Sequence, residues 1–491
     1  MDSKFKITGS AAAWIALALL VVPMFGSYFF DDMFSTVSNI FNDPSLLQLG
    51  WGQDEYGKYT SGYSILCIFG GLVLCGMLLD KWGVRITGSI FVGLMVGGAA
   101  MVTWAITAGL PVQQSLNVAW AGCMVFGLGS EIAGVAVTRS IAKWFKGRNM
   151  AFAMGLQLAI ARLGTATAFL LSPVLIREKV AGGAVSGAGA AAESFVYTLS
   201  ETARPAVFGL ILLLVGAIFW AVFVAMDARF DHASSESIHS SEGSGEEPFR
   251  FSDVLKVLGN RNWWLLALLC VFFYSSIVAF KKFTGAILVP RFGVSSSVAG
   301  LMATILPFST VVFAPLFGLM VDRRGHGTRW MVFGAVLALA AHLVLAFAPS
   351  GSAFWGYAAM VLLGFSYSLV PAALWPSVPK VIPEKMLGTA FALIYWVQNL
   401  GLWGFKRFAG KILEAPSSAG AASSSGAASS VGVAGADTVV SGLFNVELMF
   451  LGVCVAALVL AVLFAGSSRR HPELGLDKKN ENGGEAGAAG V

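Results

Sequence analysis

The chain has 491 residues, is 56% hydrophobic and only 12% charged, and carries a formal net charge of +5. Its mean hydropathy of +0.75 lies far above the near-zero value of a soluble globular protein, which excludes a soluble fold. The basic excess does not mark a nucleic-acid partner, because Lys and Arg fall in short segments between apolar runs, where they set the orientation of a membrane protein.

From the N-terminus, an apolar stretch from Ala11 to Phe30 ends at Asp31 and Asp32 without a preceding small-residue cleavage site. It reads as an uncleaved first span rather than a signal peptide. Further runs of about twenty mostly apolar residues, the length a spanning helix needs, lie near 59–79, 86–107, 117–142, 149–176 and 205–226. After a polar interruption they resume near 263–283, 297–321, 330–348, 354–379, 387–408 and 444–465. The expected fold is an all-α membrane protein of about twelve transmembrane helices in two pseudo-symmetric six-helix halves. The halves fall at 1–226 and 263–466, joined by a cytoplasmic linker at 227–262 and followed by a cytoplasmic tail at 467–491.

The linker is too rich in Ser, Gly and charge to bury a core. Placing both termini in the cytoplasm puts roughly twenty Lys and Arg inside and roughly ten outside, as the positive-inside rule requires. Two outer loops, AGGAVSGAGAAAES and APSSAGAASSSGAASSVGVAGAD, are low-complexity tracts expected to carry no chemistry. Cys67, Cys75, Cys123, Cys270 and Cys454 all sit inside apolar runs and read as small buried hydrophobes.

One motif occurs twice. Gly76-Met-Leu-Leu-Asp80-Lys-Trp-Gly83-Val-Arg85 follows the second span, and Gly318-Leu-Met-Val-Asp322-Arg323-Arg-Gly325 follows the eighth. A tight turn repeated at equivalent places in two halves marks a duplicated transporter. The glycine would let helices approach, the aspartate could cap a neighbouring helix, and the basic residues would hold the loop cytoplasmic. A shift of 237 residues then superposes Gly127 on Gly364, Ser140 on Ser377 and Lys143 on Lys380.

These residues resemble the loop motif of the major facilitator superfamily, in which it latches the cytoplasmic face. The resemblance implies gating roles for Gly76, Asp80, Gly83 and Arg85 in the first half and for Gly318, Asp322, Arg323 and Gly325 in the second.

Two charges fall deep in spans. Glu131 lies about twelve residues from Lys143, and Arg162 about fourteen from Arg148, roughly 18–21 Å at helical rise and so near the bilayer centre. A charge there costs about 2.5–3.5 kcal/mol by insertion scales, so such residues face cavities and serve function. The plainer alternative is a structural ion pair. The repeat weighs against it, since the same shift places neutral Ser368 and Asn399 at the equivalent positions. An acid and a base together suit a solute bearing both signs, with Glu131 accepting an ammonium and Arg162 clamping a carboxylate. Tyr28, Tyr395 and Gln398 could line the same cavity. Lys281, Lys282, Lys406 and Arg407 read as interfacial anchors that snorkel, Asp31 and Asp32 as solvated, and His342 as a lone core histidine.

Within the superfamily, Pro23-Met-Phe-Gly-Ser-Tyr28-Phe29, Phe126-Gly-Leu-Gly-Ser-Glu131 and Gln398-Asn-Leu-Gly401 resemble the lysosomal dipeptide transporter family and its bacterial relatives. So do Gly155-Leu-Gln-Leu-Ala-Ile-Ala-Arg162-Leu-Gly164 and Gly364-Phe-Ser-Tyr-Ser-Leu369. The resemblance implies dipeptide movement, favouring basic side chains, by alternating access as a uniport. Glu131 could instead carry a proton, which the nearby Arg162 would oppose.

The N-terminal tail lacks an acidic dileucine sorting signal, so a bacterial inner membrane is expected at least as readily as a lysosomal one. A lysosomal membrane and a lysosomal accessory subunit are expected only in a eukaryotic host. The partners otherwise are the small-molecule solute and the lipid bilayer. An organic-anion or nitrate-type antiporter ranks lower for want of paired bases in the second half, and a non-transporting receptor or scaffold ranks lower because both latch motifs are intact. No nucleotide loop or metal-ligand cluster occurs, so no enzyme activity, cofactor or metal is expected.

Overall fold

The computed structural model describes residues 9–145, 149–177, 196–235, 251–383, 386–414 and 434–478. The first low-complexity loop, the second as far as residue 433 and the centre of the linker lie outside these, and the last four residues of the second loop, expected to be loop, form the first turn of a helix. Among the described residues the chain is helical, and ten helices are long and apolar enough to cross a membrane. The expected second and eleventh spans are also helical. The second is α2 (Gln53–Leu66) continued by the π-helical turn Cys67–Gly71, and the eleventh is α15 (Leu387–Glu414), whose Gln398, Asn399, Lys406 and Arg407 dilute its hydropathy.

The chain divides into two compact units. The first comprises Met1–Met33, Gly62–Ile176 and Thr198–Gly245. It contains α1 (Gly9–Asp32), α3 (Leu72–Thr107), α4 (Val112–Trp144), α5 (Met150–Ile176) and α6 (Leu199–Ser235). Helix α3 turns at Gly83, where φ is +75°, and so carries the end of the second span before the turn and all of the third after it. Helix α6 runs past the apolar boundary at 226 as far as Ser235. Its exposed Ile211, Leu214, Ile218 and Val222 form a stripe at helical spacing, which suits lipid as the surrounding solvent.

The second unit comprises Phe34–Ser61, Arg177–Tyr197 and Glu246–Val491. Its helices are α7 (Phe251–Leu258), α8 (Arg261–Tyr274), α9 (Phe280–Lys282), α10 (Thr284–Phe292), α11 (Ser296–Arg324), α12 (Gly327–Phe347), α13 (Ala353–Leu374), α14 (Val378–Val381), α15 and α16 (Ala434–Arg470). Segment Phe34–Ser61, though early in the chain, packs here: the 3-10 helix Ser35–Asn42 lies on α10, and the first turns of α2 lie near the end of α15.

The repeat is visible in local geometry. Ser140 Oγ donates to Ala136 O at 2.8 Å, and Ser377 Oγ donates to Ala373 O at 2.8 Å, the same bond 237 residues apart. Gly83 and Gly325 both take positive φ, +75° and +68°, where a side chain would be strained.

Several expectations are corrected. Lys282 and Lys406 are 1% and 2% exposed and do not snorkel: Lys406 Nζ lies 3.5 Å from Thr60 O, and Tyr56 Oη donates to Lys282 O at 2.9 Å. Arg407 pairs with Asp54, its Nη2 lying 2.9 Å from Oδ2. Asp32 is 1% exposed and accepts from Thr165 Oγ1 at 2.8 Å instead of being solvated. His342 is not alone, since its Nδ1 lies 2.9 Å from Glu447 Oε2. For Lys406, Arg407, Asp32 and His342 a partner distant in sequence meets the polar group. Cys67, Cys123, Cys270 and Cys454 are buried free thiols, and the Cys75 side chain lies outside the described residues.

Candidate substrate site and gates

Helix α1 packs against α4, α5 and α6. Two glycines set close approaches: a Cβ on Gly164 would fall 3.1 Å from the carbonyl carbon of Phe25 in α1, and one on Gly127 would fall 2.8 Å from Cα of Tyr63 in α2. One helical turn after Gly127, Glu131 Oε1 accepts from Tyr63 Oη at 3.0 Å. Tyr63 Oη is also 3.3 Å from Ser130 Oγ, which in turn is 2.5 Å from Ser27 Oγ. Two residues before Gly164, the Arg162 guanidinium stands 5.9 Å from the centroid of the Tyr28 ring, within cation–π range.

Adjacent residues of α1 therefore serve the two charges. Ser27 joins the hydroxyl chain that reaches Glu131, and Tyr28 lies under Arg162. Glu131, Arg162, Tyr28 and Tyr63 are only partly buried, so they keep surface for a solute. Sequence reasoning misses Tyr63 and Ser27. A tyrosine and a serine in apolar helices give no signal until the neighbouring carboxylate is located.

The second unit holds the other expected site residues. Ser368 is 0% exposed and its hydroxyl donates to Gly364 O at 2.8 Å. Gln398 and Asn399 are 7% and 6% exposed, and Asn399 Nδ2 donates to Tyr395 O at 3.1 Å. More prominent is an aromatic cluster. The Tyr395 ring stacks on Trp375 with centroids 5.2 Å apart, and Trp375 Nε1 donates to Tyr274 Oη at 2.9 Å. Tyr367 packs edge-on against Tyr274. Tyr395 remains 44% exposed.

At the motif ends, the packing at Gly76 and the side chain of Asp80 lie outside the described residues. Beside Arg85 of the first motif, the buried carboxylate is Asp227 on α6. Its Oδ1 accepts from Lys143 Nζ at 2.9 Å and from Trp144 Nε1 at 2.8 Å, and Arg85 Nε is 3.5 Å from Oδ2. By hydropathy Asp227 is the first residue of the linker; by packing it belongs to the first unit. In the second unit Asp477 of the tail does the capping: its Oδ1 accepts from the Thr328 N–H at 3.0 Å and from Thr328 Oγ1 at 2.9 Å, and Ser468 Oγ donates to Oδ2 at 2.9 Å. Lys380 Nζ donates to Gly475 O at 3.2 Å. Asp322 is half-buried and Arg323 exposed. A Cβ on Gly318 would meet nothing within 4 Å, so close helix approach does not require that glycine here.

Comparison with known proteins converges on this architecture. The profile of the Major Facilitator Superfamily matches residues 24–403. The Bos taurus lysosomal dipeptide transporter MFSD1 is 30% identical over 415 residues, covering 82% of this chain and 79% of that protein. The Homo sapiens protein of the same name is 28% identical over 418 residues, covering 82% and 80%. A probable nitrate/nitrite antiporter NarK1 of Thermus thermophilus is 22% identical over 418 residues, 81% of each.

Among solved structures, a bacterial homologue of the human lysosomal transporter Spinster superposes with a TM-score of 0.63 at 13% identity, covering 93% of this chain and 97% of its own. The nucleoside transporter NupG superposes with a TM-score of 0.61 at 14% identity, covering 92% and 98%. At such identities the structures speak to the fold alone. The family match spans well over half of the chain, the duplicated motif has equivalent backbone geometry in both units, and the helices suit lipid: this multi-pass membrane protein belongs to the Major Facilitator Superfamily of transporters.

Proposed function

We propose that the protein carries small zwitterionic solutes, above all dipeptides, across its membrane by alternating access, either as a uniport or with a proton. The observation that carries this reading is the pairing of two opposite charges with two successive residues of one helix. Glu131, poised by Tyr63, would take the solute's ammonium, and Arg162, steadied over Tyr28, its carboxylate. Solute-binding roles are likewise assigned to Ser368, Gln398 and Asn399, on the sequence repeat that pairs Ser368 with Glu131 and Asn399 with Arg162. Arg85, Asp227 and Lys143 in the first unit, and Gly318 to Gly325 with Asp477 in the second, would serve the cytoplasmic gates. The proteins it resembles at about 30% identity are named as dipeptide transporters, which supports the same solute class. Both termini are assigned to the cytoplasm on the distribution of Lys and Arg. The membrane is a bacterial inner membrane, or a lysosomal one in a eukaryotic host.

The test is thermal stabilisation of the purified protein and of Glu131→Gln and Arg162→Ala by dipeptides, single amino acids and inorganic anions. Stabilisation by dipeptides, lost in both variants, is expected. Stabilisation by nitrate instead would overturn the solute assignment and favour an anion antiporter. Stabilisation by nothing in the panel, together with no uptake into proteoliposomes, would favour a scaffold.

A further inference from the structure

The second unit buries an acid and a base that the proposed site does not use. His342 on α12 and Glu447 on α16 are 0% and 1% exposed, with Nδ1 2.9 Å from Oε2. Their other polar atoms, His342 Nε2 and Glu447 Oε1, are buried without a hydrogen-bond partner. Two aromatic rings wall the imidazole: Phe450 stacks on it and Phe280 meets it edge-on, both with centroids 5.3 Å away. A structural ion pair ordinarily fills its remaining lone pairs and protons, because each orphaned buried polar atom costs about 1–3 kcal/mol. This dyad does not.

Glu447 also lines a cavity of about 180 Å³ together with Arg291, Leu345, Ser350 and Phe444. Arg291 belongs to the frame of that cavity: its Nε and Nη2 donate to Leu345 O, Ala346 O and Ala348 O at 2.6–2.9 Å, capping the C-terminus of α12. Glu447 thus borders a space large enough for water, although its carboxylate oxygens are themselves buried.

We propose that His342 and Glu447 form a proton-binding dyad, distinct from Glu131 and Arg162, whose loading accompanies solute movement. The proposal rests on the transporter reading but not on the identity of the solute. The balance is simple. Unloaded, the dyad is imidazole plus carboxylate, with net charge −1. One proton from water in the cavity makes it either imidazolium–carboxylate or imidazole–carboxylic acid, net neutral in both forms. A movement of α12 against α16 that admits water to the dyad would give the proton its route out, and the return movement would carry one in.

Other charged or titratable groups on the elements packed here do not supply the missing partner. Arg291 is engaged with carbonyls, and Cys454, within electrostatic reach of Glu447, bonds Ser276. Lys281 and Lys282 follow Phe280 on α9, and on α15 Lys406 and Arg407 are engaged with Thr60 and Asp54.

The experiment has two arms on the full-length protein in proteoliposomes. In the first, infrared difference spectra between acid and neutral buffer should show a protonated-carboxyl band that is lost in Glu447→Gln and shifted in His342→Gln. Absence of a titrating band attributable to Glu447 overturns the dyad. In the second, counterflow of a dipeptide is compared with accumulation driven by a pH gradient. Glu447→Gln should keep counterflow within about twofold and lose gradient-driven accumulation. Wild-type counterflow with no response to the gradient overturns the coupling and leaves the dipeptide reading intact. Failure of counterflow with every dipeptide overturns the dipeptide reading instead, and the infrared arm then decides the proton site alone.

Discussion

Replacing Asp227 by alanine should destabilise the first unit by about 2–4 kcal/mol. The carboxylate is 4% exposed and accepts from Lys143 Nζ at 2.9 Å and from the Trp144 indole at 2.8 Å. A hydrogen bond to a charged acceptor contributes about 1.5–3 kcal/mol, and stranding the partner of a buried ion costs about 3–5 kcal/mol. The cations temper this sum. The side chains of Lys143 and Arg85 are 43% and 39% exposed, so water resolvates them and each pairing contributes only about 0–1 kcal/mol. The Trp144 N–H, on a residue 9% exposed, has little such recourse.

At roughly 2–4 °C per kcal/mol for a unit of about 200 residues, the unfolding midpoint should fall by about 4–16 °C. Tryptophan fluorescence on heating the purified protein would report it. Asp227→Asn keeps an acceptor for the indole and should lose about half as much. A midpoint unchanged by alanine, or an equal loss in the asparagine variant, would refute the assignment of the main contribution to the buried indole bond.

The motif glycines should separate. Gly325→Ala, at φ +68°, should cost about 1–2 kcal/mol, whereas Gly318→Ala, helical and with open space around its Cβ, should gain about 0.5–1 kcal/mol, both read as shifts in unfolding midpoint. A stabilised Gly318→Ala that no longer transports would place the need for that glycine in the opposite conformation.

Glu414, beyond the span expected at 387–408, has its carboxyl pushed above the usual carboxylate value of 4.5 by burial, partly offset by the Gln53 and Asp54 backbone N–H groups. Because the folded state holds that proton more tightly, its contribution is present below the ordinary value and lost as pH rises through the raised one. The unfolding midpoint of wild type should therefore fall relative to Glu414→Gln over that rise, and parallel curves would refute the assignment. A double-mutant cycle on Asp54 and Arg407, whose side chains are 32% and 25% exposed, should give a coupling of about 0.5–2 kcal/mol. No coupling would show that the pair is spent on solvent.

Much of this molecule is legible in its sequence, because lipid imposes a simple rule: every spanning backbone must be an internally bonded helix of about twenty apolar residues. Span positions and the duplicated turn follow from that rule, and the cost of charge in hydrocarbon is what singles out Glu131 and Arg162 as candidates, while the positive φ of Gly83 and Gly325 is seen only in the structure. What sequence could not supply is partnership. Lys406, Asp32 and His342 look like isolated polar residues when judged by their neighbours in the chain, yet each meets a group from a distant segment. Their partners are Thr60, Thr165 and Glu447 respectively.

Asp227 and Asp477 are hidden for the same reason, lying where apolar runs give way to linker and tail. Hydropathy records what a residue costs to bury. Only tertiary packing decides which residues are buried together, and so which of those costs a partner offsets.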